Sequence, residues 1–233
     1  MTDDQERRTD PGHATGGGPD RPASLEPRPV EPSAPEEFGL VQVWWGDGKG
    51  KTTAALGMAL RAAGHGYRVH VLQFMKGGTG TVEDVRGEYN AAAALPGLSC
   101  ENSGHYGWHG FLDGSDDDEH AARAKGGMER ARELVAAARE ADLSAPLDLD
   151  GPADDGVHML VLDEVCYAAN RGLVDPAAVR ELVADRPDDL ELVLTGGHER
   201  PEYVADVADL VTHVEKEVHP IEAGQGARKG TEY

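Results

Sequence analysis

Residues 46–53 read Gly-Asp-Gly-Lys-Gly-Lys-Thr-Thr, preceded by Val41-Gln42-Val43-Trp44-Trp45 and followed by Ala54-Ala55-Leu56-Gly57-Met58-Ala59-Leu60. The apolar run 41–45 has the length and composition of a buried strand. After the glycines, Leu56, Ala59, Leu60 and Ala63 recur at i, i+3, i+4 and i+7, one face of a helix that Gly64 and Gly66 then stop. A glycine-rich loop between a strand and a helix turns backbone N–H groups toward one point and makes a nest for phosphate oxygens. Lys51 is placed to reach a terminal phosphate, and the Thr52 hydroxyl to hold a divalent cation. The strict pattern for such a loop asks for glycine where Trp45 stands, so this is a variant of it. Glycines at 46, 48 and 50 still supply the backbone freedom. The segment reads as a nucleoside triphosphate site.

Working outward, apolar strand candidates follow at 69–74, 97–101, 158–163, 190–195 and 210–214, with helical patterns at 52–64, 117–141, 175–184 and 201–208. Strands alternating with helices predict an α/β fold, a mostly parallel sheet flanked by helices in the P-loop NTPase (RecA-like) arrangement. Ligands bind such sheets at the carboxyl ends of the strands, so the loops at 46–52, 74–81, 163–170 and 195–200 are expected on one rim. Residues 1–37 hold half of the prolines and the run Gly16-Gly17-Gly18, and read as a disordered tail before a domain spanning 38–233. Stretches 113–120 and 142–156, rich in Asp, Pro or Gly, read as acidic, solvated inserts. Asp116, Asp117 and Asp118 are a weaker candidate for a metal site.

The chain has 233 residues, with 43 acidic against 22 basic side chains and a formal net charge of −21. That surface repels nucleic acid. Only six of the 22 cations are lysine, and an acidic, lysine-poor surface suits a high-salt, halophilic cytoplasm. The two cysteines, Cys100 and Cys166, have no metal-ligand spacing. No run is long and apolar enough for a membrane span, and the N-terminus lacks a signal-peptide core, so a cytoplasmic protein is expected.

A second segment carries chemistry. Met159-Leu160-Val161-Leu162-Asp163-Glu164 is an apolar strand ending in two carboxylates. Such an end delivers acid to the ligand rim, where it holds Mg²⁺ or orients a nucleophile. In Gln73-Phe74-Met75-Lys76-Gly77, Lys76 either meets phosphate or is a surface lysine at a turn. In Gly104-His105-Tyr106-Gly107-Trp108-His109, the aromatics either cover a planar ligand or plug the core. Arg228-Lys229, near the C-terminus, belong either to a flap that neutralises an anion or to a frayed end. No Ser-His-Asp, Cys-His or zinc-ligand pattern stands out, so the chemistry needs little acid–base help.

Together these segments resemble the P-loop type of ATP:corrinoid adenosyltransferase. The carrying residues are Gly46 to Ala55, Arg61-Ala62-Ala63-Gly64-His65-Gly66, Gln73-Phe74-Met75-Lys76-Gly77, Trp108, Val161-Leu162-Asp163-Glu164 with Tyr167, Thr195-Gly196, and Gly224, Ala227 and Gly230-Thr231-Glu232-Tyr233. The resemblance implies that Co(I) of a reduced corrinoid attacks the 5′ carbon of ATP and triphosphate leaves. It implies that Gly46, Asp47, Gly48, Lys49, Gly50, Lys51, Thr52, Thr53, Lys76 and Arg228 bind ATP, that Thr52 with Asp163 or Glu164 holds Mg²⁺, and that Tyr106 and Trp108 press on the lower face of the corrin. It further implies a reduced flavoprotein as electron donor and a homodimer. Where members often have Arg after Thr-Gly, this chain has Gly197, which leaves that anion contact either missing or supplied by Arg200. The same loop and acid pair would also serve an ATPase or kinase cleaving the β–γ bond, or a non-catalytic nucleotide or corrinoid sensor.

Overall fold

A computed structural model describes residues 26–75, 87–103, 117–226 and 228–231, with side chains omitted at 117–120. Lys76, Tyr106 and Trp108 therefore lie outside the described residues, as do Asp116 and the side chains of Asp117 and Asp118, the candidate metal site. The elements run β1 (Val41–Trp45), α1 (Lys51–Gly64), β2 (Val69–Gln73), α2 (Gly87–Ala94), β3 (Leu98–Asn102), α3 (Asp117–Glu140), β4 (Met159–Asp163), α4 (Val165–Asn170), α5 (Pro176–Asp185), β5 (Glu191–Thr195), α6 (Glu202–Ala205) and β6 (Leu210–His213). The six strands form one sheet in the order β3-β2-β4-β5-β1-β6. Every pairing is parallel, the α/β architecture expected from the alternation.

The central strands β2, β4 and β5 are buried at every residue. Their apolar runs are nearly continuous because helices cover both faces. Alternation along β1 sends Val41 and Val43 to one core, with Leu134, Leu162, Leu182 and Leu194, and Trp44 to the other, with Ala55, Ala59 and Val161. Small alanines on the inner face of α1 let that helix pack closely over the sheet.

Two buried polar side chains stitch the lower edge. Glu191, 4% exposed at the start of β5, accepts from the backbone N–H groups of Gly39 (3.0 Å) and Leu40 (2.9 Å) and from Gln42 Nε2 (2.6 Å). His158 Nδ1 accepts from Arg68 N at 2.9 Å, and burial pushes this imidazole below its ordinary pKa. Residues 26–37 carry no helix or strand, but Ser33 N donates to Gly66 O at 2.9 Å.

The structure corrects the sequence reading in places. Helices α2 and α4 were not expected. The 201–208 pattern reduces to the four residues of α6. The acidic stretch 113–120 overlaps the helical pattern read from 117, and α3 begins at Asp117 as that pattern had it.

Candidate active site

The loop after β1 is held by the chain that follows β6. Val214 N donates to Trp45 O (2.8 Å), Gly48 N to Val214 O (2.8 Å), and Lys216 N to Asp47 Oδ1 (3.0 Å). Gly46 has φ +123°, and a Cβ there would sit 2.3 Å from Val214 O. A side chain at 46 would therefore break the contact that shapes the loop. The rings of Trp45 and His213 stack with centroids 3.9 Å apart at the loop's base.

Gly50 is the N-cap residue of α1 and offers no side chain to the first-turn N–H groups. The positive end of a 14-residue helix thus faces the loop. Lys51 turns back over it, with Nζ donating to Gly46 O (2.7 Å) and Gly48 O (2.8 Å). Burial pulls the Lys51 ammonium below its ordinary pKa, opposed by Glu164, Asp47 and Asp163. Asp47, Lys49 and Thr53 are exposed on the loop and first turn.

The acid strand meets this loop across 111 residues of sequence: Thr52 Oγ1 donates to Asp163 Oδ1 at 2.8 Å. Strand β5 separates β1 from β4, as in the RecA-like arrangement, and its last residue bridges them. Thr195 Oγ1 donates to Asp163 Oδ1 (2.7 Å) and accepts from Glu164 N (3.0 Å). Strand register aligns Gln73 with Asn102 on one side and with Asp163 on the other, so the carboxyl ends of the strands present a row of polar groups. Gln73 Nε2 donates to Asp163 Oδ2 (3.1 Å), Tyr89 OH to Gln73 Oε1 (2.7 Å), and Asn102 Nδ2 to Tyr89 OH (2.8 Å). The sequence reading did not assign Tyr89, Asn102 or Thr195 to the site. Thr195 had a usable signal, a polar residue closing an apolar strand as Asp163 does.

Glu164 is the only described non-glycine residue with positive φ, 63°. That conformation costs a residue with a Cβ about 1–2 kcal/mol. Backbone strain of this kind concentrates at functional sites.

Hard oxygen donors fit a divalent cation such as Mg²⁺. Thr52 gives its only hydroxyl proton to Asp163, so what its oxygen can offer a metal is lone pairs, as a ligating hydroxyl requires. Among the described residues no cluster of three or more His, Cys, Asp or Glu forms a protein-only cage. Mg²⁺ shared with a nucleotide needs no such cage.

Two further candidate anion contacts fall on other segments. Arg228 is exposed in the C-terminal segment, its carbonyl accepting from Thr231 N. Arg200 pairs with Glu202 at 2.8 Å. Gly197 has φ +79°, and a Cβ there would stand 2.4 Å from Asn170 Oδ1. Its carbonyl accepts from Gly46 N, so it shapes the loop through its backbone.

Comparison with known proteins adds an independent line. A family model described as ATP:corrinoid adenosyltransferase BtuR/CobO/CobP matches residues 37–233. A corrinoid adenosyltransferase of Pseudomonas aeruginosa is 31% identical over 201 residues, covering 86% of each chain. The corrinoid adenosyltransferase CobA of Salmonella typhimurium is 32% identical over 206 residues, covering 86% of this chain and 88% of its own. A corrinoid adenosyltransferase of Escherichia coli is 28% identical over 207 residues.

Proposed function

The chain belongs to the ATP:corrinoid adenosyltransferase family, and from that premise we propose how its residues carry out the transfer of the 5′-deoxyadenosyl group of ATP to a reduced corrinoid in cobalamin biosynthesis. Co(I) of the corrinoid supplies an electron pair to C5′ of ATP. The Co–C bond forms, the C5′–O bond breaks, and inorganic triphosphate leaves with that bond's electrons. Nucleophile and leaving group both react without a general base, consistent with a loop site that presents a cation, helix N–H groups and hydroxyls. The protein's tasks are to align the two substrates and to stabilise charge on the triphosphate.

In this reading the backbone of Gly46 to Gly50, with Thr53 beside it, cradles the triphosphate. Lys51 exchanges its two carbonyl bonds for phosphate oxygens. Thr52 and Asp163, with Glu164 near, hold Mg²⁺, which neutralises phosphate charge when bound. Lys76 and Arg228 are assigned to the same anion, and Tyr106 and Trp108 to the lower face of the corrin. An external donor such as a reduced flavoprotein supplies the electrons. A cytoplasmic, salt-adapted homodimer is the setting in which we place the enzyme.

The observation that carries the assignment is the Thr52–Asp163 hydrogen bond, which joins the glycine loop to the acid strand in one constellation. Its test is an anaerobic assay in concentrated KCl with ATP, Mg²⁺ and chemically reduced cobalamin, comparing wild type with Lys51→Ala. The wild type should bleach the Co(I) absorbance and release triphosphate, and the variant should be slower by about 10²–10³-fold. ADP and phosphate with the corrinoid unchanged, or a fully active variant, would overturn the assignment.

A further inference from the structure

Tyr89 lies on α2, a helix with no part in the loop, yet it stands in a row of hydrogen bonds leading to the acid of the site. Gln73 and Asp163 are both 0% exposed, so each polar atom there must find a partner inside the protein. A glutamine amide in this place can turn two ways. With its NH₂ toward Asp163 it donates to Oδ2, as observed. With its oxygen that way, two acceptors would face each other.

The Tyr89 hydroxyl decides between them. It accepts from Asn102 Nδ2 at 2.8 Å, and so directs its own proton to Gln73 Oε1 at 2.7 Å. The polarity of the row is thereby set from the rim inward: Asn102 to Tyr89, Tyr89 to Gln73, Gln73 to Asp163. Asp163 meets Gln73 through one carboxylate oxygen, and Thr52 and Thr195 through the other. The plane of that carboxylate, and with it the direction in which Thr52 presents its lone pairs, follows from the amide's orientation.

We propose that Tyr89 is a positioning residue for the divalent cation that accompanies the nucleotide, acting through Gln73 on Asp163 and Thr52. The proposal rests on the reading of Thr52 and Asp163 as the residues that hold the metal. Partners of a metal's ligands tune its binding in this way because they fix ligand orientation and charge.

The test uses the full chain, ATP without corrinoid, and Mn²⁺ as the probe, with free Mn²⁺ read by electron paramagnetic resonance. Tyr89→Phe should weaken Mn²⁺ binding to the protein–ATP complex about five-fold, the loss of one hydrogen bond. ATP affinity in EDTA should stay at the wild-type value, while the thermal midpoint falls by a few degrees because buried Gln73 Oε1 loses its partner. Asn102→Ala should shift Mn²⁺ binding in the same direction by less. Mn²⁺ affinity in Tyr89→Phe within about two-fold of wild type would overturn the proposal. So would a parallel fall in Mn²⁺ affinity and metal-free ATP affinity, which marks a general packing role. Thr52→Ala is the separate control: if it leaves Mn²⁺ binding unmoved, the metal-ligand reading fails, and the role of Tyr89 falls with it.

Discussion

Lowering the pH from about 7 to about 5 should destabilise this protein through His70. The imidazole lies on β2 at 1% exposure. Its Nδ1 sits 2.8 Å from Ser99 Oγ, and its Nε2 is 3.9 Å from Glu101 Oε1 with no hydrogen-bond partner. Burial pushes its pKa from 6.5 to about 4, outweighing the attraction of Glu101. Between those two values the unfolded chain binds a proton that the folded chain refuses. Stability therefore rises with pH across that window, and is lost as the pH falls toward 4. At pH 5 the deficit is about 1.5 pH units, or about 2 kcal/mol, a large share of the ~5–15 kcal/mol that holds a domain together. The assay is urea unfolding at both pH values for wild type and His70→Asn, whose amide can replace Nδ1 toward Ser99. Any constant cost of the substitution cancels in the difference between the two pH values. The variant should lose about 2 kcal/mol less than wild type on acidification. His158, also depressed by burial, leaves a residual slope in both proteins. Glu101 is held below its ordinary 4.5 chiefly by its hydrogen bond to Arg130, so its stabilisation is lost mainly below that value and adds little between pH 7 and pH 5. Equal losses in the two proteins would refute the reasoning.

Two further substitutions test the frame and the loop. Glu191→Ala strands the N–H groups of Gly39 and Leu40 and the amide of Gln42; it should cost about 2–4 kcal/mol in urea unfolding, against little for an exposed glutamate such as Glu202. Gly197→Arg, which introduces the residue that the family resemblance led us to expect there, should lower stability by about 1–2 kcal/mol because of the positive φ and the clash with Asn170. It should also weaken ATP binding by disturbing the Gly46–Gly197 bond, and tighter ATP binding by equilibrium dialysis would show that the missing guanidinium matters more than the backbone.

The central strands were legible because a parallel sheet covered on both faces demands apolar runs, and Met159 to Leu162 or Leu192 to Leu194 can be little else. Helices α1, α3 and α5 showed through their periodic faces. Helix α2 did not: half of it is alanine and it buries only Ala92, so it leaves no apolar stripe. Helix α4, at six residues, is too short for a period to register. Within the site, the glycine loop and the acid strand announced themselves, because each compresses its chemistry into a few adjacent residues. The row from Asn102 through Tyr89 and Gln73 to Asp163 could not be read, since it depends on β2 lying between β3 and β4 in that register. Strand order is a property of the whole sheet, and no local pattern contains it.

The position of β1 in the sheet bears on how the chain is made. Both neighbours of this strand are encoded far downstream: Leu40 waits 151 residues for Glu191, and Val41 waits 168 for Asp209. At roughly 5–20 residues per second, a nascent Val-Gln-Val-Trp-Trp segment stays unpaired for roughly 8–30 s while β2, β3 and β4 emerge. The glycine loop acquires its shape later still, when Val214 and Lys216 clear the ribosome and close on Gly48 and Asp47. A transcript cut short before that point would yield a chain with most of its sheet and a glycine loop without the bonds that brace it, and with two tryptophans offered to any chaperone or neighbouring edge that reaches them first.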